Sequence, residues 1–307
     1  MSNADRRAQI LDAMQLVMGP LPERTGLPSL DVEVLETVKL TGIERRRLNY
    51  VAEDGDRVPA YLLVPEGLAG KASAMLCLHQ TTAIGKGEPA GLGGKPNLRY
   101  GLELAKRGYV TLMPDYPGFG DNDFDSYKHG YASTTMKGIW NHMRAVDLLQ
   151  ELPEVDDTRI GCIGHSLGGH NTLFAGAFDE RLKVMVSSCG FTSFPKYEGG
   201  DLAQWGNSAY MPWVTERFGA DPARMPFDFP DLIASLGPRG LFVSAPLYDD
   251  NFEVSGVQDC VQAAMPAYEM LGAADRLVAV YPDAGHDFPM NERKAAYVFI
   301  DDLIGGK

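Results

Sequence analysis

The five residues Gly164-His165-Ser166-Leu167-Gly168 constrain the fold of this chain more than any other stretch. An apolar run, residues 159–163, precedes them, and residues 169–177 have a composition typical of a helix. The pattern G-x-S-x-G between a strand and a helix predicts a nucleophile elbow, a sharp turn that lifts a serine hydroxyl clear of a sheet. The helix would begin just behind Ser166, so its first amides would face any negative charge that forms there. The alternative is a glycine-rich turn whose serine only caps the helix.

Strand-like and helix-like runs alternate along most of the chain. Two β-prone runs, residues 45–51 and 58–64, are joined by an Asp-Gly pair that is typical of a hairpin. After them, short apolar runs alternate with helical segments, which is typical of a parallel sheet with helices on both faces. We therefore predict an α/β fold with a mostly parallel, eight-stranded sheet. The six later strands are expected near residues 73–78, 109–113, 159–163, 182–187, 240–245 and 276–281.

The N-terminal part and one internal segment do not follow this alternation. Residues 5–18 carry apolar side chains at helical spacing, and prolines between residues 20 and 40 indicate a connecting arm. We therefore expect a helix and arm over residues 1–40 and a catalytic domain over residues 41–307. Residues 190–230 are rich in aromatic side chains and predict an insertion that forms part of a ligand pocket. Most of these rings would pack the insertion onto the body, and the predicted substrate contacts are Trp205, Tyr210 and Trp213.

Charge and cysteine content restrict the partners of this 307-residue chain. Its net charge of −13 argues against nucleic acid or an anionic membrane as a partner, because both favour basic surfaces. The four cysteines form no C-x-x-C pair and the sequence has no apolar leader, which predicts a reducing, cytoplasmic location. Ser2-Asn3-Ala4 resembles a cloning remnant, so a natural leader peptide could have been trimmed. No zinc-ligand spacing is present, and Pro89 argues against a dinucleotide loop at residues 85–90, so no metal or other cofactor is predicted.

A serine nucleophile needs a base, and His286 is the best placed of the six histidines. It follows the last predicted strand and precedes the last predicted helix, which places it at the carboxyl end of the sheet together with Ser166. His165 and His170 belong to the turn and helix of the elbow and cannot swing round to face the serine. His286 is therefore the predicted general base.

The histidine in turn needs an acid, and the forming oxyanion needs hydrogen-bond donors. Asp249 and Asp250 directly follow the predicted strand over residues 240–245; we favour Asp249, and Asp250 stays the alternative. The predicted oxyanion donors are the backbone N–H of Leu167 and a second N–H from the loop after the third strand. In that loop we favour Thr81, with Gln80 next, and His79 either orders the loop or is a plain structural histidine.

These motifs resemble those of the α/β-hydrolase superfamily, in particular the branch with dienelactone hydrolases, acetyl xylan esterases and prolyl-oligopeptidase-like esterases. The resemblance spans about residues 44–304. It implies an α/β-hydrolase fold and a Ser-His-Asp triad. Dienelactone hydrolases carry cysteine where this chain has Ser166, and many esterases have His-Gly where this chain has His79-Gln80. The resemblance rests on Leu78-His79-Gln80-Thr81, Asp115-Tyr116-Pro117-Gly118-Phe119-Gly120, Gly164-His165-Ser166-Leu167-Gly168-Gly169, Asp249 and Gly285-His286.

Three functions are compatible with these residues. The favoured one is a serine hydrolase that cleaves small carboxylic esters through an acyl-enzyme. A peptidase or amidase could use the same triad, although the chain has no large extra domain that would gate peptides. A non-catalytic ligand-binding module on the hydrolase scaffold is the third, and such a module would be expected to have lost a triad member. The sequence leaves the oligomeric state open, with a homodimer as one compatible state.

Overall fold

A computed structural model describes residues 3–306, which form a nine-stranded sheet with helices on both faces. The strand order is β1-β2-β3-β5-β4-β6-β7-β8-β9. The pairs among β1, β2, β3 and β5 are antiparallel, and all pairs from β5 to β9 are parallel. The mostly parallel α/β sheet is therefore confirmed. The strands are β1 (Glu33–Leu40), β2 (Ile43–Glu53), β3 (Asp56–Pro65), β4 (Ala72–Leu78), β5 (Val110–Pro114), β6 (Val155–His165), β7 (Leu182–Ser188), β8 (Gly240–Ser244) and β9 (Leu277–Val280).

The predicted count of eight strands was one too low, because residues 33–40 form β1 rather than part of an arm. This strand lies at the edge of the sheet and pairs only with β2, across a two-residue turn at Gly42. Most of its residues are exposed, and even Val34 is 49% exposed. An edge strand that buries so little surface needs no apolar face. It therefore lacks the alternation of apolar and polar residues by which strands are predicted.

The helices form two layers, one on each face of the sheet. Successive side chains of β4 point to opposite faces of the sheet, and each face has its own hydrophobic core. Leu76 and Leu78 pack with one helix layer, whereas Met75 and Cys77 pack with the other. The larger layer contains α1, α3, α4, α6 and α7, and the smaller contains α2 and α8. Among the described residues, no helix combines the length and apolar character needed to cross a bilayer. The helices are α1 (Asn3–Met18), α2 (Tyr100–Lys106), α3 (Thr134–Glu151), α4 (Leu167–Phe178), α5 (Trp213–Glu216), α6 (Phe229–Leu236), α7 (Val254–Met270) and α8 (Met290–Ile304).

The aromatic segment over residues 190–230 packs onto the larger helix layer. Phe229 contacts the rings of Phe191 and Phe194 at centroid distances of 4.9 and 5.4 Å, and Phe194 also contacts Phe227 at 5.6 Å. Aromatic pairs of this kind each contribute about 0.5–1.5 kcal/mol beyond the area that they bury. These rings anchor the segment above the carboxyl ends of the parallel strands, where α/β sheets bind ligands.

Candidate active site

Ser166 occupies a strained turn between β6 and α4. Its backbone has φ 55° and ψ −118°, a conformation that residues other than glycine rarely adopt. The turn is held by the Ser166 N–H, which donates to the Ser188 carbonyl at 2.9 Å. Gly164 and Gly168 leave the strand and helix in close contact, because a Cβ on Gly168 would overlap the carbonyl oxygen of Leu78. The geometry is that of the predicted nucleophile elbow.

His286 and Asp249 are joined by a hydrogen bond of 2.9 Å between Nδ1 and Oδ1. The same carboxylate oxygen accepts the backbone N–H groups of Asn251 and Phe252 at 2.9 and 3.1 Å. Burial of this carboxyl opposes ionisation, but the hydrogen bond from His286 prevails and lowers the pKa of Asp249. Asp250 is exposed and does not make this hydrogen bond. The structure thus pairs His286 with the acid that the sequence favoured.

One cavity brings most of the predicted site together. Its volume is about 280 Å³, and Ser166 and His286 both line it. The predicted oxyanion donors lie on its wall, and the N–H of Leu167 is the first amide of α4, which has no acceptor within its own helix. The full lining is Gln80, Thr81, Ser166, Leu167, His170, Tyr197, Gln204, Trp205, Tyr210, Asn251, Phe252 and His286.

The buried His79 fixes the loop that carries the second predicted oxyanion donor. Its Nδ1 lies 2.6 Å from the Gln80 carbonyl oxygen, and its Nε2 accepts the Tyr116 N–H at 3.0 Å. Because Nε2 is an acceptor, the ring proton is on Nδ1 and donates to Gln80. The C=O and N–H of one trans peptide point in opposite directions, so this bond sets the direction of the Thr81 N–H. Burial lowers the pKa of His79 and keeps the ring neutral for both contacts.

A buried ion-pair network supports the same loop from behind. The Asp115 carboxylate accepts the Lys86 backbone N–H at 2.7 Å, the Lys86 Nζ at 2.6 Å and the Asp121 N–H at 2.9 Å. Gly85 and Gly120 lie against this carboxylate so closely that a Cβ on either would overlap it. The motif that begins at Asp115 therefore ties the segment after β5 to the segment after β4.

Two of the three predicted substrate contacts line the cavity, and the third does not. Trp205 and Tyr210 are on its wall, and the Tyr210 hydroxyl lies 3.2 Å from the Thr81 hydroxyl. The prediction for Trp213 is corrected, because its ring lies under the Arg217 guanidinium in a separate surface depression. The next residue, Val214, is fully buried, so the buried face of the short helix α5 carries Val214, and Trp213 lies on a different face of that helix.

Five residues of the cavity wall were not predicted from the sequence. His170 lies on α4, four residues after Ser166, which precedes the helix. Residues four apart lie on the same side of a helix, so this spacing already predicts that the two are neighbours. The other four come from loops whose approach depends on tertiary packing. They are Tyr197 and Gln204 in the aromatic segment, and Asn251 and Phe252 after β8.

Comparisons with known proteins indicate an esterase. A family model described as "Glucuronyl esterase, fungi" matches residues 120–272. "Putative hydrolase YtaP" of Bacillus subtilis (strain 168) is 27% identical over 301 residues, covering 92% of this chain and 93% of that protein. The 4-O-methyl-glucuronoyl methylesterase of Hypocrea jecorina (strain QM6a) is 27% identical over 213 residues, covering 60% of this chain and 44% of that enzyme.

Solved structures share the fold over almost the whole chain. The glucuronoyl esterase from Solibacter usitatus superposes with a TM-score of 0.73 at 20% identity, over 96% of this chain and 91% of that one. The resemblance stated from the motifs is confirmed. The chain has the α/β-hydrolase fold, and its matches indicate a carboxylic ester hydrolase.

Proposed function

We propose that this chain hydrolyses carboxylic esters through an acyl-enzyme formed on Ser166. The observation that carries the proposal is the cavity in which the strained Ser166 and His286 meet, with His286 held by Asp249 at 2.9 Å. Asp249 keeps the Nδ1 proton in place, so Nε2 of His286 is the free base that takes the Ser166 proton during attack. The same nitrogen then protonates the leaving alcohol, and water attacks the acyl-enzyme by the reverse proton path.

The N–H groups of Leu167 and Thr81 are the proposed oxyanion donors. Both residues line the cavity, and the hydrogen bond from His79 to the Gln80 carbonyl fixes the Thr81 amide before substrate arrives. A preorganised donor needs no reorientation as negative charge develops, and one such donor is worth about 3–4 kcal/mol of transition-state stabilisation.

The cavity suits an uncharged, hydroxyl-bearing substrate. Among the described residues that line it, none is Lys, Arg, Asp or Glu. Burial lowers the pKa of His170 to about 3, so this ring is neutral, and the Trp205 indole N–H is buried without a partner in residues 3–306. The names of the relatives point to esters of sugar acids. The proposed substrate is therefore a carbohydrate ester, with an alkyl ester of a uronic acid as the first choice.

Four substrates on the purified protein test this proposal: methyl glucuronate, an acetylated xylose, an aryl acetate and the matched aryl anilide. We expect turnover of the esters, with the highest kcat/KM for methyl glucuronate, and at least about a thousandfold lower kcat in Ser166→Ala. Faster cleavage of the anilide than of the matched ester would favour an amidase. Tight ester binding without turnover would favour the binding module.

A further inference from the structure

A second cluster of reactive side chains adjoins His286 and has no step in the proposed hydrolysis. One ring nitrogen of His165, one of His286 and the Cys189 thiol sulfur all lie within 4.8 Å of one another. The rings of the two histidines are 4.8 Å apart between centroids. His286 lines the cavity, whereas His165 and Cys189 are buried. An ion that reached this cluster would enter from the cavity, past His286.

The hydrogen bonds around His165 leave one of its nitrogens as a bare acceptor. The Ser188 hydroxyl lies 3.0 Å from His165 Nδ1 and 3.9 Å from the Cys189 sulfur, so it can donate to the sulfur while it accepts from Nδ1. In the tautomer that donates from Nδ1 to Ser188, the Nε2 of His165, buried without a partner among the described residues, is a bare acceptor. A histidine that donates one N–H to a neighbour and presents the other nitrogen is oriented as metal-binding histidines are.

The remaining groups of the cluster also favour a cation. The Cys189 thiol donates to the Asp287 carbonyl at 3.3 Å, and Cys189 has φ 47°, a strained backbone that turns it towards the site. Asp249 is within hydrogen-bonding reach of this thiol, so a carboxylate, which favours a cation, also adjoins the cluster. The buried Nε2 of His165, without a hydrogen-bond partner among the described residues and next to a thiol and a second imidazole, is costly to leave unpaired and is paired when a cation binds.

We propose that His165, Cys189 and His286 form a binding site for one zinc ion, and that the bound ion inhibits hydrolysis. Two imidazoles and a thiolate are preferred zinc ligands, whereas calcium and magnesium prefer oxygen. Tetrahedral zinc bonds of about 2.0–2.3 Å place ligand atoms roughly 3.3–3.8 Å apart, so small side-chain rotations bring the three donors into range. Water from the cavity or Asp249 completes the coordination.

Zinc binding forms one Zn–S bond and two Zn–N bonds, and it releases the thiol proton of Cys189 to solvent. The inhibition, unlike the binding, rests on the proposed function of His286 as the base. If the ion takes Nε2 of His286, the base nitrogen is occupied. If it takes Nδ1, the hydrogen bond to Asp249 is broken. Either arrangement stops proton transfer from Ser166, so both lead to loss of turnover.

Direct binding to the chelator-treated protein tests the site without any need for activity. We expect calorimetry to give one Zn²⁺ per chain, no heat with Mg²⁺, and a thiolate-to-cobalt charge-transfer band with Co²⁺. Cys189→Ala should weaken Zn²⁺ binding by at least about a hundredfold and remove the cobalt band. The matched control is Cys260→Ala, a buried cysteine on α7 outside the cluster, which should bind Zn²⁺ as the parent does.

Inhibition is then measured against the metal-free turnover of each variant. In the parent protein, turnover should fall in step with zinc occupancy and return with chelator, and Cys189→Ala should need at least about a hundredfold more Zn²⁺. If Cys189→Ala does not fold, His165→Gln takes its place in both assays. Equal zinc affinity in parent and variant, or a cobalt complex without the thiolate band, would overturn the proposal. A protein that binds zinc as expected but turns over no ester would instead refute the proposed function.

Discussion

The Nδ1 atom of His286 lies 2.9 Å from Oδ1 of Asp249, and the carboxylate is held in place by two amides of its own loop. The adjacent Asp250 is exposed and is a matched control of the same chemistry. We expect Asp249→Asn to lower kcat by about 10³–10⁴, because an amide favours the wrong histidine tautomer. Asp250→Asn should stay within about threefold of the parent. The measurement is kcat of both variants on one ester. A larger loss of kcat in Asp250→Asn than in Asp249→Asn would assign the acid role to Asp250.

His79 is predicted to act as a positioning residue through the Gln80–Thr81 peptide. His79→Gln should lower kcat by about 10–100-fold with little change in KM, because the oxyanion donor matters chiefly in the transition state. The exposed His129 provides the control, and His129→Gln should leave both constants unchanged. A rise in KM with unchanged kcat would mean that His79 shapes ground-state binding instead.

Substitutions of the two tryptophans in the aromatic segment should have different effects on kcat/KM. Trp205 is on the cavity wall, with an indole N–H that has no partner in the described part of the chain, whereas Trp213 stacks on Arg217 away from the cavity. Trp205→Phe keeps an aromatic ring but removes the indole N–H together with the five-membered ring, so we expect about a tenfold loss of kcat/KM on a sugar ester and little loss on aryl acetate. Trp213→Phe should alter neither. Equal losses on both esters would show that Trp205 supports packing rather than substrate recognition.

Acid should destabilise the protein through its buried histidines. Burial lowers the pKa of His142 to about 3, whereas the unfolded side chain titrates near about 6.5. Between these values the unfolded state binds more protons, so stability is present above pH 6.5 and is lost as the pH falls. Each such histidine contributes about 1.4 kcal/mol per pH unit in this window.

Urea unfolding at pH 7.5 and at pH 5.0 measures this loss. His142→Gln should reduce the difference between the two pH values by about 1–2 kcal/mol, because one titrating group is removed. His129→Gln, at an exposed position, should leave the difference unchanged. The same difference in the parent and in His142→Gln would show that the acid sensitivity arises elsewhere.

Local patterns allowed the centre of this molecule to be predicted. Ser166 directly follows β6, whereas Asp249 and His286 lie in the loops after β8 and β9, and these parallel strands all end at one edge of the sheet. A hydrophobic run followed by a chemically reactive residue is visible in the sequence, so the site could be assembled without knowing any distance. The hairpin turn at Gly55 was likewise predictable, since its φ of 81° favours glycine.

Features that depend on tertiary packing could not be predicted. The edge strand β1 gains its order from pairing with β2 rather than from burying a face. Trp205 and Trp213 differ in placement because Val214 takes the buried side of a single helical turn. Cys189 is one of four buried cysteines, and the register that pairs Ser188 of β7 with His165 of β6 places it beside that histidine.

The most direct test of an activated serine is labelling with a fluorophosphonate, followed by peptide mass spectrometry. The account predicts one adduct per chain on Ser166, and at least about a hundredfold slower labelling in His286→Ala, because the serine then lacks its base. Asp250→Asn should label at the rate of the parent. An adduct on another residue, or no adduct in a folded protein, would contradict the assignment of Ser166 as the nucleophile.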